Sequence, residues 1–207
     1  HVLCGHCGAV RCVAISSELD LVLSAAADPP APADGGGGGG GGTCIVWTAA
    51  KGRFVRRLAL PGAPRAVAVS HTGSGLLVHC SLSEVAAAAD ASCWCLLLFS
   101  LNGRPLRRVP LDAPLSMLQC TRNGELVVGA EGGVLAVRRL HDLQLLHRYE
   151  VGARGADGAP ARVSAFALSG ENHHAFAATD GGGMVIYVNP LVNVAELERL
   201  ASELLNL

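Results

Sequence analysis

Apolar and polar residues alternate over short segments along most of the chain, and turn-forming residues separate these segments. Such alternation predicts β-strands, because successive side chains of a strand point to opposite faces of its sheet. The same unit occurs four times: a strand, a short polar turn, a second strand, a loop, a third strand and usually a fourth. The units begin with strands predicted at 10–15, 66–70, 116–120 and 163–168. The pattern therefore predicts an all-β fold of antiparallel sheets.

The spacing of the units identifies the architecture. A low-complexity, Pro- and Gly-rich insert at 29–42 lengthens the first interval. Without it, the first two units start about 42 residues apart, within the roughly 40–45 residues of a WD40 propeller blade. We predict a partial WD40-type β-propeller of about four four-stranded blades over residues 1–189, the last of which lacks its fourth strand. The predicted blades are about 5–60, 61–110, 111–151 and 152–189.

The last segment of the chain has a helical rather than a strand-like period. We predict a short amphipathic α-helix within 190–207, because its leucines recur at helical spacing and its glutamates lie elsewhere on the helical wheel. The apolar stripe consists of Leu197, Leu200 and Leu204. Two interpretations remain open: the stripe docks on the propeller or its neighbour, or it binds a partner.

Several single residues fit the positions of a WD40 repeat. Gly5 and His6 lie where the chain leads into the first blade, and Trp47 ends its third strand, although Thr48 replaces the usual Asp. In an intact blade the His is held by an Asp from the turn between the second and third strands, in a buried hydrogen-bond network. The candidates for this Asp in the first blade, and its counterpart in the fourth, are Asp28 or Asp34 and Asp180.

Composition restricts the class of function. The formal net charge is -1 and charged residues make up 16% of the chain, so no basic surface for nucleic acid is evident. No apolar run approaches the roughly 20 residues of a membrane-spanning helix. The cysteines fall mostly within apolar strands, which favours a reducing cytoplasm over a disulfide scaffold. Because the chain begins at His1 within a strand-like segment, we expect a C-terminal fragment of a longer protein.

The motifs that suggest chemistry have simpler structural explanations. Cys4 and Cys7 have the spacing of a thiol oxidoreductase motif, but a strand rather than a helix is predicted to follow. With Cys12 and His6 the pair also suggests zinc, yet a structural site usually has two separated ligand pairs. The glycines at 35–42 lack the Lys and Ser/Thr of a phosphate-binding loop. We predict no catalytic residue, metal or cofactor, and hence no enzyme.

The sequence resembles the C-terminal WD40 region of BEACH-domain proteins of the neurobeachin class. The similar segments lie at 15–20, 42–45, 98–103 and 140–143. The resemblance implies a large cytoplasmic scaffold, peripheral on endomembranes, that acts in vesicle trafficking and membrane-protein sorting. Its partners would be other proteins, bound through the propeller faces, and upstream domains of the same chain, without direct membrane insertion. The alternatives are a WD40 adaptor of another complex, such as a ubiquitin ligase, and a thiol oxidoreductase.

Overall fold

The computed structural model describes residues 2–27, 41–82, 92–152 and 161–188. Within these ranges the chain forms 15 β-strands and no helix. All of the strands belong to four antiparallel sheets, three with four strands and one with three. The predicted all-β, propeller-type fold class is therefore confirmed. The predicted helix within 190–207 and most of the insert at 29–42 lie outside the described residues.

Sheets 1 and 2 have the same order, with each strand hydrogen-bonded to the next in sequence. Sheet 1 consists of β1 (Val10–Ser16), β2 (Leu21–Ala26), β3 (Gly42–Thr48) and β4 (Phe54–Leu60). Sheet 2 consists of β5 (Gly62–Val69), β6 (Leu76–Leu82), β7 (Trp94–Phe99) and β8 (Pro105–Leu111). The connections between their first and second strands are short, as expected for hairpins.

Sheets 3 and 4 repeat this meander. Sheet 3 consists of β9 (Leu115–Cys120), β10 (Leu126–Glu131), β11 (Val134–Arg139) and β12 (Leu145–Glu150). Sheet 4 consists of β13 (Val163–Leu168), β14 (His174–Thr179) and β15 (Met184–Val188). Sheet 4 thus has three strands among the described residues.

The four sheets are arranged around their first strands. β1 contacts β5, β5 contacts β9, and β9 contacts β13, so these strands lie innermost. The last strands of sheets 1 to 3 lie outermost and are the most exposed, and Phe54–Leu60 has only two buried residues. Each sheet is therefore one radial blade of an array that has not closed on itself within the described residues.

The core lies between successive sheets. Leu23 and Val46 of sheet 1 pack against Val67 and Val78 of sheet 2 in the first of three buried clusters. The second cluster joins sheets 2 and 3, and the third joins sheets 3 and 4. The middle strand β10 of sheet 3 is covered on both faces, which explains why all six of its residues are buried. Stacking of neighbouring blades thus supplies most of the buried apolar surface.

Candidate interaction surfaces

The residues predicted to mark a WD40 repeat come together on one face of sheet 1. Ser24 of β2 lies between two of them: Trp47 Nε1 donates a hydrogen bond to Ser24 Oγ at 2.8 Å, and His6 Nε2 lies 2.8 Å from the same oxygen. His6 Nδ1 lies 3.1 Å from Thr43 Oγ1. Because the indole is 3% exposed, the network is shielded from water, which strengthens each bond. It fixes the segment before β1 to the middle of the sheet.

Gly5 has a steric role beside this network. A Cβ atom at this position would lie 3.0 Å from Cη2 of Trp47, so a larger residue would push the indole away. The carbonyl oxygen of Gly5 also accepts a hydrogen bond from the guanidinium of Arg57 on β4. Gly5 therefore lets the first segment of the chain lie flat against the outer part of sheet 1.

Asp180 lies in the turn between β14 and β15, and holds the segment that leads into sheet 4. Its carboxylate accepts a hydrogen bond from the backbone N–H of Arg162 at 2.8 Å. The backbone N–H of Asp180 donates in return to the carbonyl of Arg162 at 3.0 Å. A backbone amide thus takes the place of the histidine that sheet 1 uses. Asp28 and Asp34, the predicted partners of His6, lie outside the described residues.

Ser24 and Thr43 could not be identified from the sequence as members of the hydrogen-bond network, although Ser24 lies at its centre. A serine in an apolar strand gives no signal, because serine is common at such positions and its two partners are 18 and 23 residues away. One feature of the sequence does point to Ser24: the nitrogens of a buried indole and imidazole need an oxygen nearby with which to form hydrogen bonds. The strand register supplies it, since Val22 lies opposite Trp47 and Ser24 is two residues further along the same face.

Arg138 and Glu131 form a largely buried ion pair in sheet 3. Arg138 belongs to the third strand, β11, and its side chain is 12% exposed. Its Nη2 lies 2.9 Å from Oε1 of buried Glu131, whose other oxygen is bound by Arg148. This ion cluster is structural, since two cations already occupy its carboxylate.

The cysteines lie within strands or in the segments that precede them. Cys4 and Cys7 are exposed, and the element that follows them is strand β1. Burial raises the pKa of Cys12 to about 11 and that of Cys44 to about 12, so these thiols stay protonated and unreactive. No cluster of His, Cys, Asp and Glu suited to a metal ion occurs among the residues that the structure describes.

The two ends of the array expose apolar faces. On sheet 1, Val13 is 67% and Ile15 63% exposed, on the face that carries Ser24. On sheet 4, Met184, Ile186 and Val188 are all at least half exposed, and they alternate with residues that pack on sheet 3. Pleated apolar faces of this kind pack on another sheet wherever a neighbour exists. The predicted partner stripe of Leu197, Leu200 and Leu204 lies outside the described residues.

Radial antiparallel meanders, the first of which carries a Gly-His pair and a tryptophan, define a WD40-type β-propeller. The crystal structure of the Cps50 (Swd1) β-propeller domain of Myceliophteria thermophila has the same fold, with a TM-score of 0.61. The similarity covers 87% of this chain and 52% of that one at 19% identity, so it shows the fold alone. Within the described part of the chain, no helix has the length and apolar character needed to cross a bilayer.

The model of the neurobeachin β-propeller domain family matches residues 1–194, and the chain belongs to this family. BEACH domain-containing protein B of Arabidopsis thaliana is 28% identical over 190 residues, which are 90% of this chain and 6% of that protein. BEACH domain-containing protein lvsE of Dictyostelium discoideum is 25% identical over 197 residues, 89% of this chain and 8% of that protein. The chain thus spans a small part of these relatives, and the predicted BEACH resemblance is confirmed.

Proposed function

We propose that the chain is a non-catalytic protein–protein interaction scaffold, the C-terminal propeller region of a large BEACH-type protein that acts in vesicle trafficking and membrane-protein sorting. The observation that carries the proposal is membership of the neurobeachin propeller family over residues 1–194. The BEACH-domain relatives favour this role over that of an adaptor in a ubiquitin ligase. Propellers present rigid faces and rims on which loops and grooves bind other proteins.

Two kinds of partner follow from the exposed surfaces. The apolar terminal faces, with Val13 on sheet 1 and Ile186 on sheet 4, suit further blades from upstream in the same polypeptide. The rims and loop ends remain for other proteins. The protein would be cytoplasmic and peripheral on endomembranes through its other domains. The formal charge of -1 supports neither nucleic-acid binding nor direct membrane insertion.

The trafficking role is tested by removing the propeller from the intact protein. Cells that lack the protein are complemented with the intact form or with one from which residues 1–188 are deleted, at matched expression. We measure the surface fraction of a vesicle-delivered membrane protein and the overlap of the scaffold with an endomembrane marker. The deletion is expected to lower both. Normal sorting with the deleted form would contradict the proposal.

The non-catalytic role is tested on the two exposed thiols. The intact protein is assayed for reduction of insulin by dithiothreitol, beside a variant that carries Cys4→Ser and Cys7→Ser. We expect both proteins to match the rate without protein, because strand β1 follows these cysteines, whereas a thiol oxidoreductase motif opens a helix. Turnover that depends on these cysteines would support the oxidoreductase alternative instead.

A further inference from the structure

Two cysteines lie side by side on the middle strands of sheet 2. Cys80 of β6 is the register partner of Cys95 of β7, and both side chains are fully buried. Because opposite residues of an antiparallel pair point to the same face, their side chains are neighbours. A hydrogen bond links the two sulfur atoms, and both cysteines are thiols in the structure. Sheet 2 thus holds two reduced sulfur atoms in contact across adjacent strands.

The backbone hydrogen bonds of these strands define the spacing of the pair. Two residues further along, the N–H of Leu82 donates to the carbonyl of Cys93 at 2.8 Å. Hydrogen-bonded pairs recur at every second position of an antiparallel ladder, so Cys80 and Cys95 form such a pair too. The Cα atoms of such a pair are about 5.5 Å apart, within the roughly 4.4–6.8 Å that a disulfide spans.

The other two cysteines in this part of the core are too far from any partner to form a disulfide. Cys12 and Cys44 pack in the same apolar cluster, but each is paired with Ala25, on opposite sides of β2. Two strand spacings of about 4.8 Å separate them, which exceeds the limit of about 7 Å between the Cα atoms of a bridge. Facing sheets lie about 10 Å apart, so neither cysteine reaches the pair in sheet 2. Among the described residues of this cluster, only Cys80 and Cys95 meet the requirement.

We propose that Cys80 and Cys95 are a redox modification site, at which a peroxide oxidises the two thiols to a cross-strand disulfide. One thiolate attacks the O–O bond of hydrogen peroxide and becomes a sulfenic acid. The hydroxide that leaves takes up the proton of that thiol and becomes water. The second thiol attacks the sulfenic sulfur, and a second water leaves as the S–S bond forms. Two thiols and one hydrogen peroxide thus give one disulfide and two waters.

The oxidation is reversible by a small thiol such as glutathione. Two molecules of glutathione are oxidised to their own disulfide, and the two cysteines regain their S–H groups. The site would therefore be reduced in a resting cytoplasm and oxidised under peroxide. It depends only on the fold of sheet 2 and is independent of the proposed trafficking role.

Burial makes the site slow to react and ties its chemistry to local opening of sheet 2. The hydrogen bond to Cys95, together with burial, raises the pKa of Cys80, so the closed sheet keeps this thiol protonated. The pair lies near one end of its strands, where Leu82 is partly buried and Cys93 is exposed. Strand ends open at a lower free energy than the core does. Oxidation therefore proceeds through this end, and the bond then links β6 to β7 against further opening.

The test maps disulfides in the intact protein after treatment with hydrogen peroxide. Remaining thiols are blocked, and the protein is digested with proteases that cut after Glu84 and after Trp94, which places the three cysteines of this region on separate peptides. Mass spectrometry identifies the linked peptides. Hydrogen exchange measures the protection of β6 and β7 before and after oxidation, with β10 of sheet 3 as a check on the fold of each variant.

Two variants accompany the wild-type protein. The test variant is Cys95→Ala, which removes one sulfur atom of the pair. The matched control is Cys44→Ala, which removes an equally buried thiol from the facing sheet. We expect a linked pair of peptides that contain Cys80 and Cys95, and glutathione should separate them. The amount of this link should change by less than about twofold in the control, and the link should be absent from the test variant.

The exchange measurement tests the effect of the bond on sheet 2. Oxidation should slow amide exchange in β6 and β7 by about tenfold or more, because the bond restricts the opened state. In Cys95→Ala, peroxide should leave the exchange of both strands unchanged. Oxidation of the exposed Cys4 and Cys7 while Cys80 and Cys95 remain thiols would overturn the inference. A link from Cys80 to any other cysteine would overturn it as well, and neither result would affect the proposed scaffold function.

Discussion

Sheets 1 and 2 have the same strand order, yet they treat the polar residue buried on their second strand differently. In sheet 1, Ser24 has Trp47 and His6 as partners. In sheet 2, His79 is fully buried, and neither of its ring nitrogens has a hydrogen-bond partner among the residues that the structure describes. Its ring lies 5.6 Å from that of Trp94, which in turn lies beneath the guanidinium of Arg65. The polar residue on the second strand is thus held by hydrogen bonds in sheet 1 and by packing in sheet 2.

The difference indicates why some blades can lose the Gly-His pair of the WD40 repeat and still keep their place. Sheet 2 has apolar neighbours on both sides, because Leu76 packs toward sheet 1 and Leu77 toward sheet 3. Sheet 1 has a described neighbour on one side only. A blade covered on both faces can lose the Gly-His pair and keep its place, whereas sheet 1 depends more on its hydrogen bonds. Substitutions in the two sheets test this contrast.

The largest effect is expected from Trp47→Ala. The substitution removes a buried indole and leaves Ser24 and His6 without their central packing partner, so local stability should fall by about 3–5 kcal/mol. Amide hydrogen exchange with mass spectrometry, applied to peptides of β2 and β3 in the intact protein, measures this directly. The control is Val55→Ala, because Val55 is 45% exposed. Equal protection in the two variants would contradict the role of the network.

The second largest expected effect is a loss of stability of sheet 2 at acidic pH. Burial, with the nearby positive charge of Arg65, lowers the pKa of His79 to about 4 from its ordinary 6.5. The unfolded state therefore binds a proton more readily, and sheet 2 should lose stability as pH falls from 6.5 toward 4. Near pH 4 the loss attributable to this histidine should approach about 3 kcal/mol.

The variant His79→Leu isolates that contribution. Exchange protection of β6 and β7 should become less dependent on pH in this interval, and at neutral pH it should rise because an unsatisfied polar group is gone. Peptides of β2, remote from His79 in sequence and in another sheet, serve as the internal reference. An unchanged pH profile for β6 after the substitution would exclude His79 as the cause.

A smaller effect is expected from Ser24→Ala. Removing the hydroxyl leaves the indole N–H of Trp47 without its acceptor and removes one of the two Ser24 oxygens near His6 Nε2, at a cost of about 1–3 kcal/mol. Because both bonds share this oxygen, adding His6→Ala should cost less than the sum of the separate substitutions. Hydrogen exchange of β3 provides the measurement. Fully additive losses would show that Ser24 and His6 act independently.

The features that could be predicted from the sequence are those whose residues lie close together along the chain or at fixed positions of a repeat. Gly5, His6 and Trp47 were found because a repeat signature places them at fixed positions, and alternation gave the strands. The buried state of Arg138 could not be predicted in this way, because it depends on Glu131, seven residues away on the neighbouring strand.

The smallest effect is expected from deleting residues 29–41. The strands on either side of this insert keep a continuous register from Ala26 opposite Thr43 to Leu21 opposite Thr48. The pairing of β2 with β3 therefore requires only that the two strands be connected. The entropic cost of closing a loop changes slowly with the length of the loop. Exchange protection of both strands should change by less than about 0.5 kcal/mol. A loss as large as that of Ser24→Ala would mean that the insert contributes to the His6 network, and would shift attention to Asp34 within it.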